Sequence, residues 1–407
     1  MTARNSEAAT LLLHHRPFQL YFWGRGFSNF SRQIVAVAVG WQVYALTGSA
    51  FALGMVGLVQ FLPTAVLTFI AGHAADRYDR KRVVQLCQMV EGITAAGLAW
   101  GSFAGWLSVA HIFLASGIFG VTSAFERPAA AAMLPAVVPA QMLQKGTALT
   151  SGAMQLASIS GPALGGLTYA LSPGFPYAVT AVFWLMAGMF NGAIQTDRPA
   201  RTVDVPTLSS LFAGVRFVRD NPNVLGTISL DLFAVLLGGA TALLPIYASD
   251  ILHTGPWGLG VLRGAPAVGA LLMTTVLARQ AISRRVGLRM FQAVILFGVA
   301  TIVFALSREI GLSIFALAVM GAADTVSVVI RLSLVQLATP DEMRGRVGAV
   351  NFLFINASNQ LGEFESGITA ALFGAVPATL LGGVGTILVA LLWMKLFPAL
   401  RKVERLE

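Results

Sequence analysis

Few residues of this chain are ionisable, and several fall inside long apolar runs, where charge is costly and marks a functional candidate by default. Arg25, Asn29 and Arg32 follow one another at helical spacing and share a face. Asp324 and Arg331 stand two turns apart on another such face. Asp231 and Arg263 occupy two further runs, and a last run carries Asn356, Asn359 and Glu363 on one stripe with Glu365 round the helix. The cations Arg25, Arg32, Arg263 and Arg331 thus face the acids Asp231, Asp324, Glu363 and Glu365. Two chemistries suit this set. In one, buried ion pairs fasten helices, and Arg263 with Glu363 or Glu365 is expected to be such a pair. In the other, an acid gives up its arginine to take a proton, or an arginine holds substrate. Both stand open for Asp231 and Asp324, with Asp231 expected within reach of Arg25 or Arg32. Glu91 reads as a structural or interfacial residue.

Other chemistries lack their residues. His14, His15, His73, His111 and His253 share no metal-ligand spacing with carboxylates, so no metal is expected. The single cysteine, Cys87, excludes a cysteine cluster or an internal disulfide. There is no G-x-x-x-x-G-K-[ST] loop, no nucleophile elbow and no H-E-x-x-H. No cofactor is therefore expected, ATP does not act directly, and an enzyme is set aside.

Composition says what must position these residues. Of 407 residues, 56% are hydrophobic and 11% charged, against about 25% charged in a soluble domain. Mean hydropathy is +0.74. A soluble fold could not cover so apolar a chain, so it reads as a polytopic membrane protein. Stretches long enough to span a bilayer, roughly 20 residues each, fall at 18–46, 52–75, 83–103, 107–125, 142–171, 177–194, 224–249, 258–277, 286–306, 310–337, 343–373 and 378–397. The loops between them alternate in charge. One set carries the cations of 77–82, 127–145, 198–219, 279–289 and 344–346 together with those of both ends, and the other offers only Arg308. Positive-inside bias puts the basic set and both termini in the cytoplasm. The net charge of +9 is thus a topology signal, and no nucleic-acid partner is expected.

The polar segment 195–223 separates an N-terminal unit, 1–194, from a C-terminal unit, 224–407, and carries a short amphipathic helix at 208–218. The halves echo each other. Phe51-Ala-Leu-Gly-Met matches Trp257-Gly-Leu-Gly-Val, and Pro139-Ala-Gln-Met matches Pro340-Asp-Glu-Met. A duplicated six-helix unit suits a two-lobed transporter with a midplane site. Thr339-Pro340-Asp341-Glu342 reads as a capping box that starts the eleventh span.

Two motifs carry a family resemblance. Gly72-His-Ala-Ala-Asp76-Arg77-Tyr-Asp-Arg80-Lys81-Arg82 resembles the helix 2–3 loop of the major facilitator superfamily, with Ala74 in place of leucine and Asp79 in place of glycine. Gly161-Pro162-Ala-Leu-Gly165-Gly166 resembles the fifth-helix motif of its exporters. Leu46-Thr-Gly-Ser, Leu134-Pro-Ala-Val-Val-Pro and Arg344-Gly-Arg-Val look like the bacterial branch of enterobactin-type siderophore exporters, macrolide efflux proteins and a lysophospholipid transporter. The resemblance implies an all-α inner-membrane protein of twelve helices in two pseudo-symmetric bundles. It implies a monomer in the lipid bilayer that exports a small amphipathic molecule by proton antiport, with lysophospholipid movement as the alternative. It also implies a cavity lined by spans one, four, seven and ten.

By the same resemblance, Asp76 docks against the N-terminus of span eleven, with Arg77, Arg80 and Lys81 beside it and Glu126 and Arg127, at the cytoplasmic end of span four, as partners. Loss of a charge–dipole contact there shifts a two-state balance by about 0.3–2 kcal/mol, up to roughly thirty-fold in populations. Asp76→Asn and Arg80→Ala are expected to slow transport while membrane expression stays near wild type. Unchanged transport in both would reduce these residues to topology determinants.

Overall fold

A bilayer offers the backbone no water, so an apolar chain must satisfy its own peptide groups, and helices do so within one segment. A computed structural model describes residues 12, 14–195, 208–280 and 284–405; the side chains of 68–77 and 208–212 also lie outside the described residues. Every regular element among them is helical: α1 (Arg16–Thr47), α2 (Ala50–Arg77), α3 (Arg80–Phe103), α4 (Val109–Val137), α5 (Leu143–Leu171), α6 (Phe175–Gly192), α7 (Leu208–Asp220), α8 (Pro222–Leu237), α9 (Gly255–Arg279), α10 (Val286–Leu306), α11 (Ile310–Leu337), α12 (Arg344–Phe373) and α13 (Ala375–Leu396). Eight spans among the described residues are long and apolar enough to cross a membrane by length and composition. They are α2, α3, α4, α8 with its continuation to Ile251, α9, α10, α11 and α13. The protein is an all-α, multi-pass membrane protein.

Contacts divide the chain into two units, Met1–Gln42 with Val59–Val205, and Val43–Leu58 with Pro206–Glu407. In the first, α3 packs on α4 and α6, and Phe18, Tyr21, Val84, Ala129 and Met133 form a buried cluster. Tyr21 belongs there because its hydroxyl donates to the Ala130 carbonyl at 3.0 Å. In the second, α11 packs on α9 and α10, and α10 on α13. Its largest cluster joins Leu230, Met290, Phe291, Val294, Ile330 and Ala390. A second cluster seats Val218 of α7 against Val347 and Val350 of α12.

Four local features depart from the sequence reading. First, α4 runs to Val137 rather than ending at 125, so Glu126 lies about three turns inside it. Pro128 and Pro135 are carried within the helix. Second, the stretch 224–249 is broken. After α8, Gly238 and Gly239 interrupt it, a 3-10 turn covers Ala240–Leu243, and a π-helical turn covers Tyr247–Ile251. A Cβ on Gly239 would lie 2.5 Å from the Gly362 carbonyl of α12, so the break permits a close approach that a side chain would forbid.

Third, the capping box at Thr339 does not form. The Thr339 hydroxyl donates back to the Val335 carbonyl at 2.5 Å, Asp341 pairs with Arg344 at 2.7 Å, and α12 begins at Arg344. Pro340 and Met343 close a turn instead, with Met343 N–H donating to Pro340 O at 2.9 Å; its echo, Met142 N–H to Pro139 O, measures 2.8 Å. Fourth, the loop before α3 needs no glycine at 79. Asp79 adopts φ −58° and accepts from the Lys81 N–H at 3.0 Å, an N-cap that glycine could not supply.

Helices α9 and α11 lock through reciprocal glycines. A Cβ on Gly269 would land on the Ala318 carbonyl oxygen, and one on Gly321 on that of Pro266. Gly269→Ala and Gly321→Ala are each expected to cost about 1–3 kcal/mol through overpacking, read as a lowered apparent Tm in detergent. Gly311→Ala on the same α11, where a Cβ meets nothing within 4 Å, is expected to leave Tm unchanged.

Candidate functional site

The first unit holds a buried arginine–carboxylate pair. Arg32 of α1 pairs with Glu126 of α4, whose side chain is fully enclosed. Glu126 Oε1 also accepts from Ser28 Oγ at 3.1 Å and Gln88 Nε2 at 2.9 Å. Gln88 is held in turn by Asn191 Nδ2 of α6 at 2.8 Å. An acid so engaged is no partner for a loop, so Glu126 leaves the expected latch. Arg25 and Asn29 of the same α1 face are half-buried, and Arg25 Nη1 is enclosed with no hydrogen-bond partner.

The second unit holds a triad. Arg331 of α11 pairs with Asp231 of α8 and stands 3.6 Å from Asp324, two turns before it on α11. Asp231 therefore answers to Arg331, not to Arg25 or Arg32 as expected. The two acids differ in access: the Asp231 side chain is 10% exposed and that of Asp324 46%. Beside the triad lies a cavity of about 20 Å³, room for a single water, lined by Asp231, Asp324, Ser327, Arg331 and Thr386 with apolar neighbours that include Phe297. Ser327 Oγ and Arg331 Nε are buried there without hydrogen-bond partners. In both units the pair joins the first long helix of a half to the fourth, with the charges exchanged.

The remaining candidates are dispersed. Arg263 and Glu363 interact electrostatically but form no contact ion pair, so the expected bridge is absent among the described residues. Glu365 accepts from Thr369 Oγ1 of its own helix at 2.7 Å. Asn356 and Asn359 donate to the carbonyls of Phe352 and Ile355, one turn back on α12, at 2.8 and 2.9 Å. In the loop motif, the side chains of Gly72, Asp76 and Arg77 lie outside the described residues, though the backbone of α2 is helical through them. Arg80 is buried at the start of α3. Lys81 Nζ donates to the Ile194 carbonyl at 3.0 Å, a cation placed just beyond the C-terminal end of α6. Arg127 is exposed on α4.

The fifth-helix motif packs tightly: Gly161, Pro162, Gly165 and Gly166 are all buried. A Cβ on Gly161 would lie 2.6 Å from Gln33 Cβ, and one on Gly165 3.0 Å from the Ile34 carbonyl of α1. Sequence reasoning missed the engagement of Glu126 and Gln88 because α4 was ended too early. Helical spacing from Ser28 to Arg32 was the available signal.

A family model described as transmembrane secretion effector matches residues 9–407. The enterobactin exporter EntS of Citrobacter koseri is 26% identical over 397 residues, which cover 97% of this chain and 95% of that protein. EntS of Shigella dysenteriae serotype 1 is 27% identical over 380 residues, covering 93% and 88%. Of solved structures, the nucleoside transporter NupG superposes with a TM-score of 0.76 at 13% identity, over 93% of this chain and 100% of that one. A bacterial homolog of the human lysosomal transporter Spinster, inward-facing and unoccupied, gives 0.69 at 11%, over 95% of each. Likeness at such identities shows the fold alone.

Removing one partner of a buried pair costs about 3–5 kcal/mol because the other charge is stranded. Arg331→Met alone is expected to lower stability by that amount in SDS-unfolding curves. Adding Asp231→Leu to it is expected to recover most of the loss.

Proposed function

The chain belongs to the transmembrane secretion effector family of MFS-type transporters, and from that premise we propose that it exports a small amphipathic molecule, a siderophore or drug-like compound, in exchange for protons. It is a multi-pass membrane protein of the bacterial inner-membrane kind that acts by transport, not catalysis. In the proposed reading, it works as a monomer with twelve spans in two six-helix bundles joined by 195–223, with both termini cytoplasmic. It moves its substrate by alternating access, with Arg25, Asn29, Arg32, Asn356 and Asn359 as candidate substrate contacts.

One observation carries the coupling. A single guanidinium, Arg331, lies between an enclosed acid and an accessible one. Asp324 is the more exposed of the two acids, and Arg331 carries one positive charge against two carboxylates. In the proposal, a proton taken by Asp324 leaves Arg331 wholly to Asp231, and its release draws the guanidinium back. The triad thereby reports proton occupancy to α8, whose outer continuation is already broken at Gly238 and Gly239. Discontinuous helices of this kind mark binding regions in transporters. Glu363 and Glu365 on α12 are secondary candidates, neither being held in a contact ion pair.

Deleting the gene and comparing secreted metabolites, drug tolerance and lysolipid uptake identifies the substrate. With that substrate, Asp324→Asn and Asp231→Asn are expected to abolish proton flux on substrate addition in proteoliposomes, Asp324→Asn with stability near wild type and Asp231→Asn with the loss that a stranded Arg331 brings. Wild-type flux in both variants would move the carrier to Glu363 or Glu365 or end the proton-coupled reading.

A further inference from the structure

Glu91 of α3 is used by nothing above, and its surroundings are unusual for a carboxylate. It is 1% exposed. Oε1 accepts from Thr122 Oγ1 of α4 at 2.9 Å, whereas Oε2 is buried with no hydrogen-bond partner. The cation nearest in kind, Arg32, interacts with Glu91 electrostatically but is paired with Glu126. Gln88, one turn before Glu91, is also spent on Glu126. Among the described residues, the contact ion pair of these two enclosed carboxyls is thus Arg32 with Glu126, and Glu91 has longer-range interactions with Arg32 and Arg127.

A bare carboxylate oxygen with no donor costs far more to bury than a neutral hydroxyl does. We propose that Glu91 and Glu126 share one proton, which resides on whichever carboxyl Arg32 does not hold. In the described state the proton is on Glu91 Oε2, and Arg32 holds Glu126. When the guanidinium turns to Glu91, the Oε2–H bond breaks, an Arg32 N–H donates to that oxygen, and the proton ends on Glu126. The cluster charge is unchanged, so the exchange needs no outside reactant. The first unit thus has a proton-holding pair of its own, distinct from the Asp324 site.

The groups that face Glu91 are consistent with this assignment. Helix α1 brings Arg25 and Arg32, and α4 brings Glu126 and the exposed Arg127. Cys87 lies one turn back on α3 itself, and α6 carries no charged residue, with Tyr177 as its titratable side chain. Thr122 fixes the rotamer of Glu91 while donating also to its own Phe119 carbonyl at 3.1 Å. Of these groups, Arg32 is the one that is both in contact with Glu126 and electrostatically coupled to Glu91.

The test is infrared spectroscopy of the purified protein near neutral pH, read at the C=O stretch of a protonated carboxylic acid. Wild type is expected to show an acid band that is lost in Glu91→Gln. Glu126→Gln is expected to lose it too, because the freed Arg32 then pairs with Glu91. Thr122→Val, which keeps both carboxyls and removes one hydrogen bond, is expected to shift the band. Asp324→Asn and Asp231→Asn are expected to leave it in place, which separates this pair from the coupling triad. An acid band unchanged in Glu91→Gln or in Glu126→Gln, or unshifted in Thr122→Val, overturns the assignment.

Discussion

A guanidinium inside an apolar bundle is costly without a counter-charge, and two contact pairs that meet this cost organise both halves of the molecule. Arg32 is answered by Glu126 and Arg331 by Asp231. Each pair ties the first long helix of its half to the fourth. Packing alone could not fix which faces of those helices meet, because aliphatic side chains in lipid gain little by choosing one another over lipid tails. The ion pair sets the rotation of both helices, and the small-residue contacts then follow. Gly161 and Gly165 can lie against α1 because α1 is already oriented by Arg32. The exchanged polarity of the two pairs shows that the constraint is on opposite charge across two helices, not on which helix supplies which sign.

Much of this was legible in the sequence, and the limits have physical causes. Apolar runs located the long helices of the described residues, because bilayer thickness acts on composition directly. Helical spacing put Asp324 and Arg331 on one face, where the structure has them 3.6 Å apart. What failed was partner assignment between helices. Asp231 and Arg331 are a hundred residues apart, and no periodicity within one helix says which neighbour it faces. Arg263 and Glu363 were matched by depth, and they do interact electrostatically, but depth leaves rotation about the helix axis undetermined and the two form no contact ion pair. Helix ends were also misjudged. The expected end of α4 at 125 fell short of a helix that carries Pro128 through to Val137, while Pro340 suggested a start where the chain makes a turn.

The Thr339 hydroxyl shows how small the margin between such outcomes is. Threonine can cap the following helix or bond back to the preceding one, and both satisfy one orphan backbone group. Here it closes the end of α11, and Asp341 is released to Arg344. The same residues would serve either arrangement, so only the geometry of the flanking helices decides.

The reciprocal glycines of α9 and α11 have a mechanical consequence. With carbonyl oxygens seated where side chains would otherwise stand, these two helices cannot slide or roll past each other without collision, and they behave as one rigid beam. Any deformation the second unit undergoes must be taken up by a softer joint. The interrupted stretch after α8 is such a joint: two glycines, a tight turn and a widened turn follow in sequence, and each has backbone freedom that a regular helix lacks. Beam and joint both border the Arg331 site: α11 carries Arg331 itself, and Gly238 of the joint lies against Phe297, which lines the cavity beside it. A change of charge at Arg331 therefore falls next to a segment whose backbone is already irregular.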